Sequence, residues 1–293
     1  MSTPGDIEVV LDAHAHVGEG PTWDAEAYKL IWIDIVGNIV HRYNPTTGED
    51  ESIDVGQPVG AAAPRAAGGI VLALRDGFGI LDIASGDVQM IAHTEADNPG
   101  NRMNDGACDS AGRFWAGTMS FDVEPGAGAL YRLDTDHRVT KVLGGVTISN
   151  GLGWSLDDAK MYYIDSPTQG VDVFDYDPSS GEVGNRRRLI DIPEQVGLPD
   201  GMIVDAEGFL WVALFGGGAV HRYSAEGRLD RVIDLPASQI TKCVFGGEDL
   251  SDLYITSAAY KLSKKELEDQ PHAGALFRCR PGPRGRPSYS FRG

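Results

Sequence analysis

The chain has 293 residues, with 25 Lys and Arg against 43 Asp and Glu, which gives a formal net charge of −18. Nucleic acids and anionic membranes bind clustered basic residues, so this composition argues against both as partners. The 38 glycines and 16 prolines favour many tight turns over long helices.

Short strand-like segments follow one another along the whole chain. They are rich in β-branched and aromatic residues, and Gly, Asn, Asp or Pro bounds most of them. In chain order they cover residues 7–11, 30–34, 70–74, 114–117, 161–164, 210–214 and 253–256. The pattern also predicts one short helix at 263–269 and a last strand at 288–291.

A large apolar residue recurs in six of these strands at intervals of 40 to 49 residues, at Trp32, Leu72, Trp115, Tyr162, Trp211 and Tyr254. A period of about 40–50 residues with several short strands is typical of a propeller blade. We therefore expect an all-β fold, a six-bladed β-propeller with four-stranded blades, in which residues 1–293 form a single domain. The N-terminal strand precedes the first full repeat, so it is predicted to close the last blade and to hide exposed strand edges.

The three cysteines, Cys108, Cys243 and Cys279, are far apart and form no CxxC pair. This spacing predicts buried free thiols in a reducing compartment, not a disulfide framework or a zinc site. No signal peptide or transmembrane run is visible in the sequence. We expect a cytoplasmic protein that is a monomer or a weak homo-oligomer, because a closed propeller does not need to associate.

Polar residues recur 11 to 13 positions before four of the six repeated core residues, at Glu19, Asn104, Asn150 and Asp200. Each lies one or two residues before a glycine. In a propeller, equivalent positions lie on the innermost strands, so these side chains should converge beside the central channel. Asp105 directly precedes its glycine, as Glu19, Asn150 and Asp200 precede theirs, whereas Asn104 lies two residues before it. Strict phase relative to the glycine therefore favours Asp105, and the sequence alone leaves the choice between the two residues open.

Two carboxylates and two amides form a set of oxygen donors, which suits hard divalent cations such as Ca²⁺, Mg²⁺ or Mn²⁺. Asn-Gly and Asp-Gly are also ordinary turn dipeptides. Four of them in one phase favour a metal site over chance. The other two blades carry Gly60-Ala61 and Thr241-Lys242 near this phase, so the ring is asymmetric and open on one side.

Four segments in this order resemble the senescence-marker-protein/gluconolactonase/luciferin-regenerating-enzyme family over essentially the whole chain. They are GEGPTWD, NRMNDG with DSAGRFWAGTM, ISNGLGWSLDD, and LPDGMIVDAEGFLWVA. The resemblance implies a six-bladed propeller with one catalytic divalent cation. Ca²⁺ is the expected ion, with Mg²⁺, Mn²⁺, Zn²⁺ and Fe²⁺ as alternatives.

Carried over by motif, Glu19, Asn150 and Asp200 resemble direct metal ligands. Asn104 is similar to the asparagine that completes the metal site or contacts the substrate, so the family pattern prefers it to Asp105.

Two further residues resemble substrate-binding positions of the family. Arg102 is similar to an arginine that binds sugar hydroxyls. Asp122 is similar to a substrate-contacting acid, although SFDVEP departs from the common family versions and makes Glu124 a rival.

The resemblance implies a metal-dependent hydrolase that opens sugar (aldono-) lactones, such as glucono-, xylono- or arabinolactone, to the free acid. Asp200 is expected to act as general base besides binding the metal, the alternative being metal ligation alone. The competing functions are a phosphotriesterase-type hydrolase on the same scaffold and a non-enzymatic regucalcin-like calcium-binding regulator. A WD-type interaction propeller is disfavoured because Gly-His and Trp-Asp pairs do not recur.

Overall fold

The computed structural model describes residues 6–293, whose regular structure is almost entirely strand. The chain enters through β1 (Glu8–Leu11) and then builds three four-stranded antiparallel blades. Blade I contains β2 (Gly18–Asp24), β3 (Lys29–Asp34), β4 (Ile39–Tyr43) and β5 (Asp50–Asp54). Blade II contains β6 (Val59–Pro64), β7 (Ile70–Leu74), β8 (Gly77–Leu81) and β9 (Val88–His93). Blade III contains β10 (Asn101–Cys108), β11 (Phe114–Ser120), β12 (Gly128–Leu133) and β13 (Val139–Val146).

The second half of the chain builds three more blades. Blade IV contains β14 (Ser149–Trp154), β15 (Lys160–Asp165), β16 (Gly170–Asp177) and β17 (Glu182–Asp191). Blade V contains β18 (Leu198–Val204), β19 (Leu210–Phe215), β20 (Ala219–Tyr223) and β21 (Leu229–Asp234). Blade VI contains β22 (Ile240–Gly246), β23 (Asp252–Ser257) and β24 (Leu276–Cys279). The prediction of a six-bladed β-propeller is confirmed.

Blade VI is completed by the N-terminal strand, as predicted. β1 pairs antiparallel with β24 and forms the outermost strand of the blade. The first and the last strand of the propeller therefore lie in one sheet. Between β23 and β24, the only α-helix of residues 6–293 is α1 (Lys264–Asp269), whose N-cap Ser263 forms a capping box with Glu266. Among residues 6–293, no helix is long and apolar enough to cross a membrane.

The predicted last strand at 288–291 is wrong. This segment lies outside every sheet and makes only an isolated parallel bridge between Phe291 and Arg65. The Phe291 N–H donates to Pro64 O, and its ring is fully buried, so the segment is fixed against blade II without joining a ladder. The outermost position of blade VI is already occupied by β1, so the blade has its four strands without this segment.

All six recurring apolar residues lie on the second strand of their blades and are buried, with at most 1% of their surface exposed. Burying a side chain of this size contributes about 1.5–3 kcal/mol, so this repeat is a main source of core stability. The polar atom of the indole is also satisfied in blades III and V. Asp109 accepts from Trp115 Nε1 at 2.8 Å, and Asp205 accepts from Trp211 Nε1 at 2.9 Å. These aspartates open the turns that precede the second strands.

The six innermost strands surround the channel in chain order, and each is irregular at one equivalent point. The register with the second strand shifts between Glu19 and Thr22, Val59 and Ala61, Met103 and Gly106, Asn150 and Leu152, Pro199 and Met202, and Ile240 and Lys242. A bulge bends its strand and re-aims the side chains at that point. The repeated bulge therefore decides which side chains face the channel.

Candidate active site

The bulged inner strands bring Glu19, Asn104, Asn150 and Asp200 to the wall of one cavity of about 220 Å³. The cavity opens where the inner strands begin, and Arg102 also lines it. All five residues are buried, at 9% exposure or less. The structure therefore gathers in one place the three residues that the repeat phase predicted without ambiguity, Glu19, Asn150 and Asp200. With them lie Asn104, one of the two candidates for the fourth position, and the arginine that the resemblance added.

Hydrogen bonds connect Arg102, the two amides and Ser166 into a chain along the cavity wall. One guanidinium N–H of Arg102 donates to Asn104 Oδ1 at 2.8 Å. Asn104 Nδ2 donates to Ser149 O at 2.8 Å and to Asn150 Oδ1 at 3.2 Å, and Asn150 Nδ2 donates to Ser166 Oγ at 2.8 Å. Asn104 thus connects Arg102 of blade III to Asn150 of blade IV and fixes the positions of these two side chains. Each amide oxygen still has a second lone pair free to accept.

The two carboxylates of the cavity, Glu19 and Asp200, are buried without an ion-pair partner among residues 6–293. Burial and the negative charge of Asp105 raise the pKa of Glu19 to about 8. Burial, followed by the charges of Glu19 and Asp105, raises the pKa of Asp200 well above its ordinary value. Glu19 Oε2 accepts from the Gly20 N–H, and its Oε1 has no hydrogen-bond partner. Two buried acids with an orphaned oxygen form a site that a cation would stabilise.

Glu19 should make the stability of the metal-free protein depend on pH. Its pKa of about 8 in the folded state exceeds the ordinary value of 4.5, so the folded state binds the proton more tightly than the unfolded state. Stability is therefore expected to fall as the pH rises from 4.5 to about 8. Thermal unfolding with a chelator present measures this slope. The Glu19→Gln variant should flatten it, and an unchanged slope in that variant would contradict the assignment. Glu26→Gln, at an exposed position of the same blade, is the control.

The structure also separates Asn104 from its neighbour Asp105. Asn104 lines the cavity, whereas Asp105 is fully buried and does not. Asp105 instead pairs with Lys242, whose Nζ donates to Asp105 Oδ1 and to Gly106 O, the latter at 3.2 Å. The bulge between Met103 and Gly106 accounts for the difference, because it displaces one residue from the regular alternation.

The other predicted substrate residue, Asp122, is exposed and does not line the cavity. Its neighbours Phe121 and Val123 do line the cavity, and the guanidinium of Arg102 lies 6.0 Å from the centroid of the Phe121 ring. Glu124 is also exposed. The substrate role of Asp122 stays a prediction.

Sequence reasoning missed several cavity residues that directly follow or end the second strands, namely Ile35, Phe121, Ser166 and Phe215. They occur three to six positions after the repeated core residue of their blades. Counting forward as well as backward from each core residue would have found them. Tyr260, which follows β23 at greater distance, also lines the cavity.

Known proteins resemble this chain over most of its length. The sequence model of the SMP-30/Gluconolactonase/LRE-like region matches residues 17–259. The chain is 42% identical to regucalcin of Danio rerio over 291 residues, which cover 98% of each chain. It is 40% identical over 273 residues to a provisionally named sugar lactone lactonase of Bacillus subtilis (strain 168), covering 93% of this chain and 94% of that protein.

Among solved structures, the fold is similar to that of a calcium-binding protein, regucalcin, from Agrobacterium tumefaciens str. C58. The TM-score is 0.95 at 30% identity, and the match covers all of both chains. The named lactonases among the relatives support a sugar lactone hydrolase in general. This chain belongs to the SMP-30/gluconolactonase/LRE-like family.

Proposed function

We propose that this protein is a metal-dependent lactonase that hydrolyses sugar lactones to the free acids. The observation that carries the proposal is one cavity that combines two unpaired buried carboxylates with a buried arginine and two amides. The carboxylates fit a cation, and the arginine fits a polar substrate beside that cation. The lactonase names among the relatives support the same reaction.

The cation would be held by Glu19, Asn150 and Asp200, with Asn104 completing the set. Side chains of residues 6–293 include no cluster of three or more His, Cys, Asp or Glu disposed to bind a metal, so amide oxygens are needed beside the two acids. Oxygen donors of this kind suit Ca²⁺ best, and Mg²⁺, Mn²⁺, Zn²⁺ and Fe²⁺ are the alternatives. When bound, such a cation would polarise the lactone carbonyl and lower the pKa of a nearby water molecule.

Asp200 is the residue that we assign as general base. Its raised pKa in the metal-free site means that the carboxylate binds a proton more tightly than a surface aspartate does. In the reaction, water oxygen bonds to the lactone carbonyl carbon and its proton passes to an Asp200 carboxylate oxygen. The bond between this carbon and the ring oxygen then breaks, and the proton held by Asp200 passes to the ring oxygen. The product is the open-chain hydroxy acid.

Arg102 and Asn104 are proposed to orient the hydroxyl groups of the substrate. Burial lowers the pKa of Arg102 to about 10, so its guanidinium still carries its charge at neutral pH. A planar guanidinium carries several N–H donors in a fixed fork, so Arg102 can donate to hydroxyl groups of a substrate in the cavity that it lines. Phe121 and Met119 offer an apolar surface for the face of a sugar ring that carries C–H groups. We therefore expect aldonolactones such as glucono-, xylono- or arabinolactone as substrates.

The proposal is tested by measuring proton release from a panel of aldonolactones and one organophosphate triester. The purified protein is first stripped of metal and then given Ca²⁺, Mg²⁺, Mn²⁺, Zn²⁺ or Fe²⁺ separately. We expect metal-dependent turnover of at least one lactone and faster turnover of lactone than of triester. Faster cleavage of the triester would favour the phosphotriesterase alternative.

The second candidate is a calcium-binding regulator, because several relatives carry the name regucalcin. Arg102 argues against calcium binding as the whole function. A protein that only binds Ca²⁺ does not need a buried, positively charged guanidinium beside the metal ligands. Tight binding of Ca²⁺ without turnover of any lactone in the panel would favour the regulator.

A further inference from the structure

Blade VI supplies none of the four proposed metal ligands. At the repeated bulge it carries Thr241 and Lys242. Going round the ring of six inner strands, β22 of blade VI is three strands away from β10 of blade III in either direction. The Lys242 ammonium nevertheless contacts Asp105 and Gly106 of β10. The lysine side chain therefore spans the channel.

The stem of Lys242 also lies against blade V. A Cβ atom added to Gly201 would lie 2.4 Å from Lys242 Cγ and 2.5 Å from its Cβ, so a glycine is required where the stem passes. Gly201 directly follows Asp200, and Asp105 directly follows Asn104. One side chain thus contacts the bulges that present two of the four cavity residues.

Thr241 makes a similar connection in the other direction. Its hydroxyl donates to Gly18 O at 2.6 Å, and Gly18 directly precedes Glu19 on blade I. The Thr-Lys pair of blade VI therefore contacts residues next to Glu19, Asn104 and Asp200.

Lys242 is placed to position these groups and not to react. It does not line the cavity that holds Glu19 and Arg102 but a separate cavity of about 100 Å³, which Gly106 and Met202 also line. Its ammonium is directed to Asp105 and Gly106. A buried ion pair is also a poor source of stability, because desolvation of two charges offsets most of their attraction.

We propose that Lys242 is a positioning residue, a brace across the channel that fixes the bulges of β10 and β18 and so the placement of Asn104, Arg102 and Asp200. The brace acts on the strands that carry the cavity residues and does not itself contact the substrate. The proposal concerns the geometry of the protein itself, and only its kinetic test rests on the proposed lactonase function.

The test compares Lys242→Met with Arg113→Met. Arg113 pairs with Asp109 in the interior of blade III, and both pairs have side-chain exposures of 7% and 0%. Both substitutions remove the ion-pair partner of a buried aspartate, so both should lower the melting temperature. Only Lys242→Met should raise the KM for the best lactone substrate, by about 10-fold or more, because only it releases the substrate-binding groups. A mere loss of folded protein would lower the maximal rate and leave KM unchanged.

A double variant, Asp105→Asn with Lys242→Met, removes both charges of the pair together. It separates positioning from charge balance, and it serves in place of the single variant if that one does not fold. We expect it to recover most of the melting temperature while KM stays raised, because no side chain then spans the channel. Full recovery of KM, or equal KM values for Lys242→Met and Arg113→Met, would overturn the brace.

Hydrogen exchange supplies a readout that needs no turnover. In the metal-free protein, Lys242→Met should speed amide exchange in β10 and β18 more than Arg113→Met does, with β6 as the internal reference. If Lys242→Met and Arg113→Met show the same exchange rates in β10 and β18, the brace is overturned. Absence of lactone turnover in the wild type, with the expected exchange pattern, would overturn the proposed function and leave the brace supported.

Discussion

The Asp200→Asn variant is expected to lose lactone hydrolysis by about 10³-fold or more while it keeps the propeller fold. Asn has nearly the same shape as Asp but cannot take a proton from water. It also removes one of the two buried charges that would hold the cation. Because the pKa of Asp200 is raised by burial and by Glu19, the carboxylate costs stability in the metal-free protein. The variant should therefore melt at the same temperature as metal-free wild type or at a higher one.

The measurement is kcat and KM for the best lactone, with protein that has been loaded with the most active cation and checked by circular dichroism. Asp191→Asn is a matched control, because that side chain is 90% exposed at the end of β17. It should keep wild-type turnover. Comparable turnover in metal-loaded Asp200→Asn would defeat the assignment of Asp200 as base.

The Glu19→Gln variant is expected to bind the divalent cation about 100-fold more weakly or worse, and to lose turnover in proportion. The amide keeps one oxygen donor but lacks the charge that offsets the cation in a buried site. Metal analysis after dialysis should fall from one ion per chain in the wild type to well below one in the variant.

Glu26→Gln is again the control, since this exposed residue lies in the turn between β2 and β3 of the same blade. It should retain the full metal content. A Glu19→Gln protein that still carries one ion per chain, at the affinity of the wild type, would show that the cation is held elsewhere.

The repeat made the fold predictable. Trp32 and its five equivalents recur at a period close to the size of one blade, and a large apolar residue on a second strand must be buried in every blade. The same period predicted that Glu19 and Asp200 lie at equivalent points of inner strands, and both do line one cavity. Periodicity is read directly from sequence because each blade satisfies the same local packing requirement.

Local spacing could not decide which of two neighbouring residues faces the channel. Strict phase favoured Asp105, but the bulge in β10 turns Asn104 into the cavity and Asp105 toward Lys242. Spacing places Lys242 near the phase of the channel, but it does not show that the side chain reaches Asp105, 137 positions away. The C-terminal segment is not the predicted strand, because Tyr289 and Phe291 pack against the core of blades II and III without joining a ladder.

From the sequence by itself come the number of blades, the buried residue of each second strand, and the phase that marks the channel. The tertiary structure alone decided which oxygen atoms share a cavity, which aromatic side chains line that cavity, and which charges neutralise each other across the channel. The physical reason is that packing within a blade is repeated and local, whereas the channel is made by six different strands that meet only once the ring has closed.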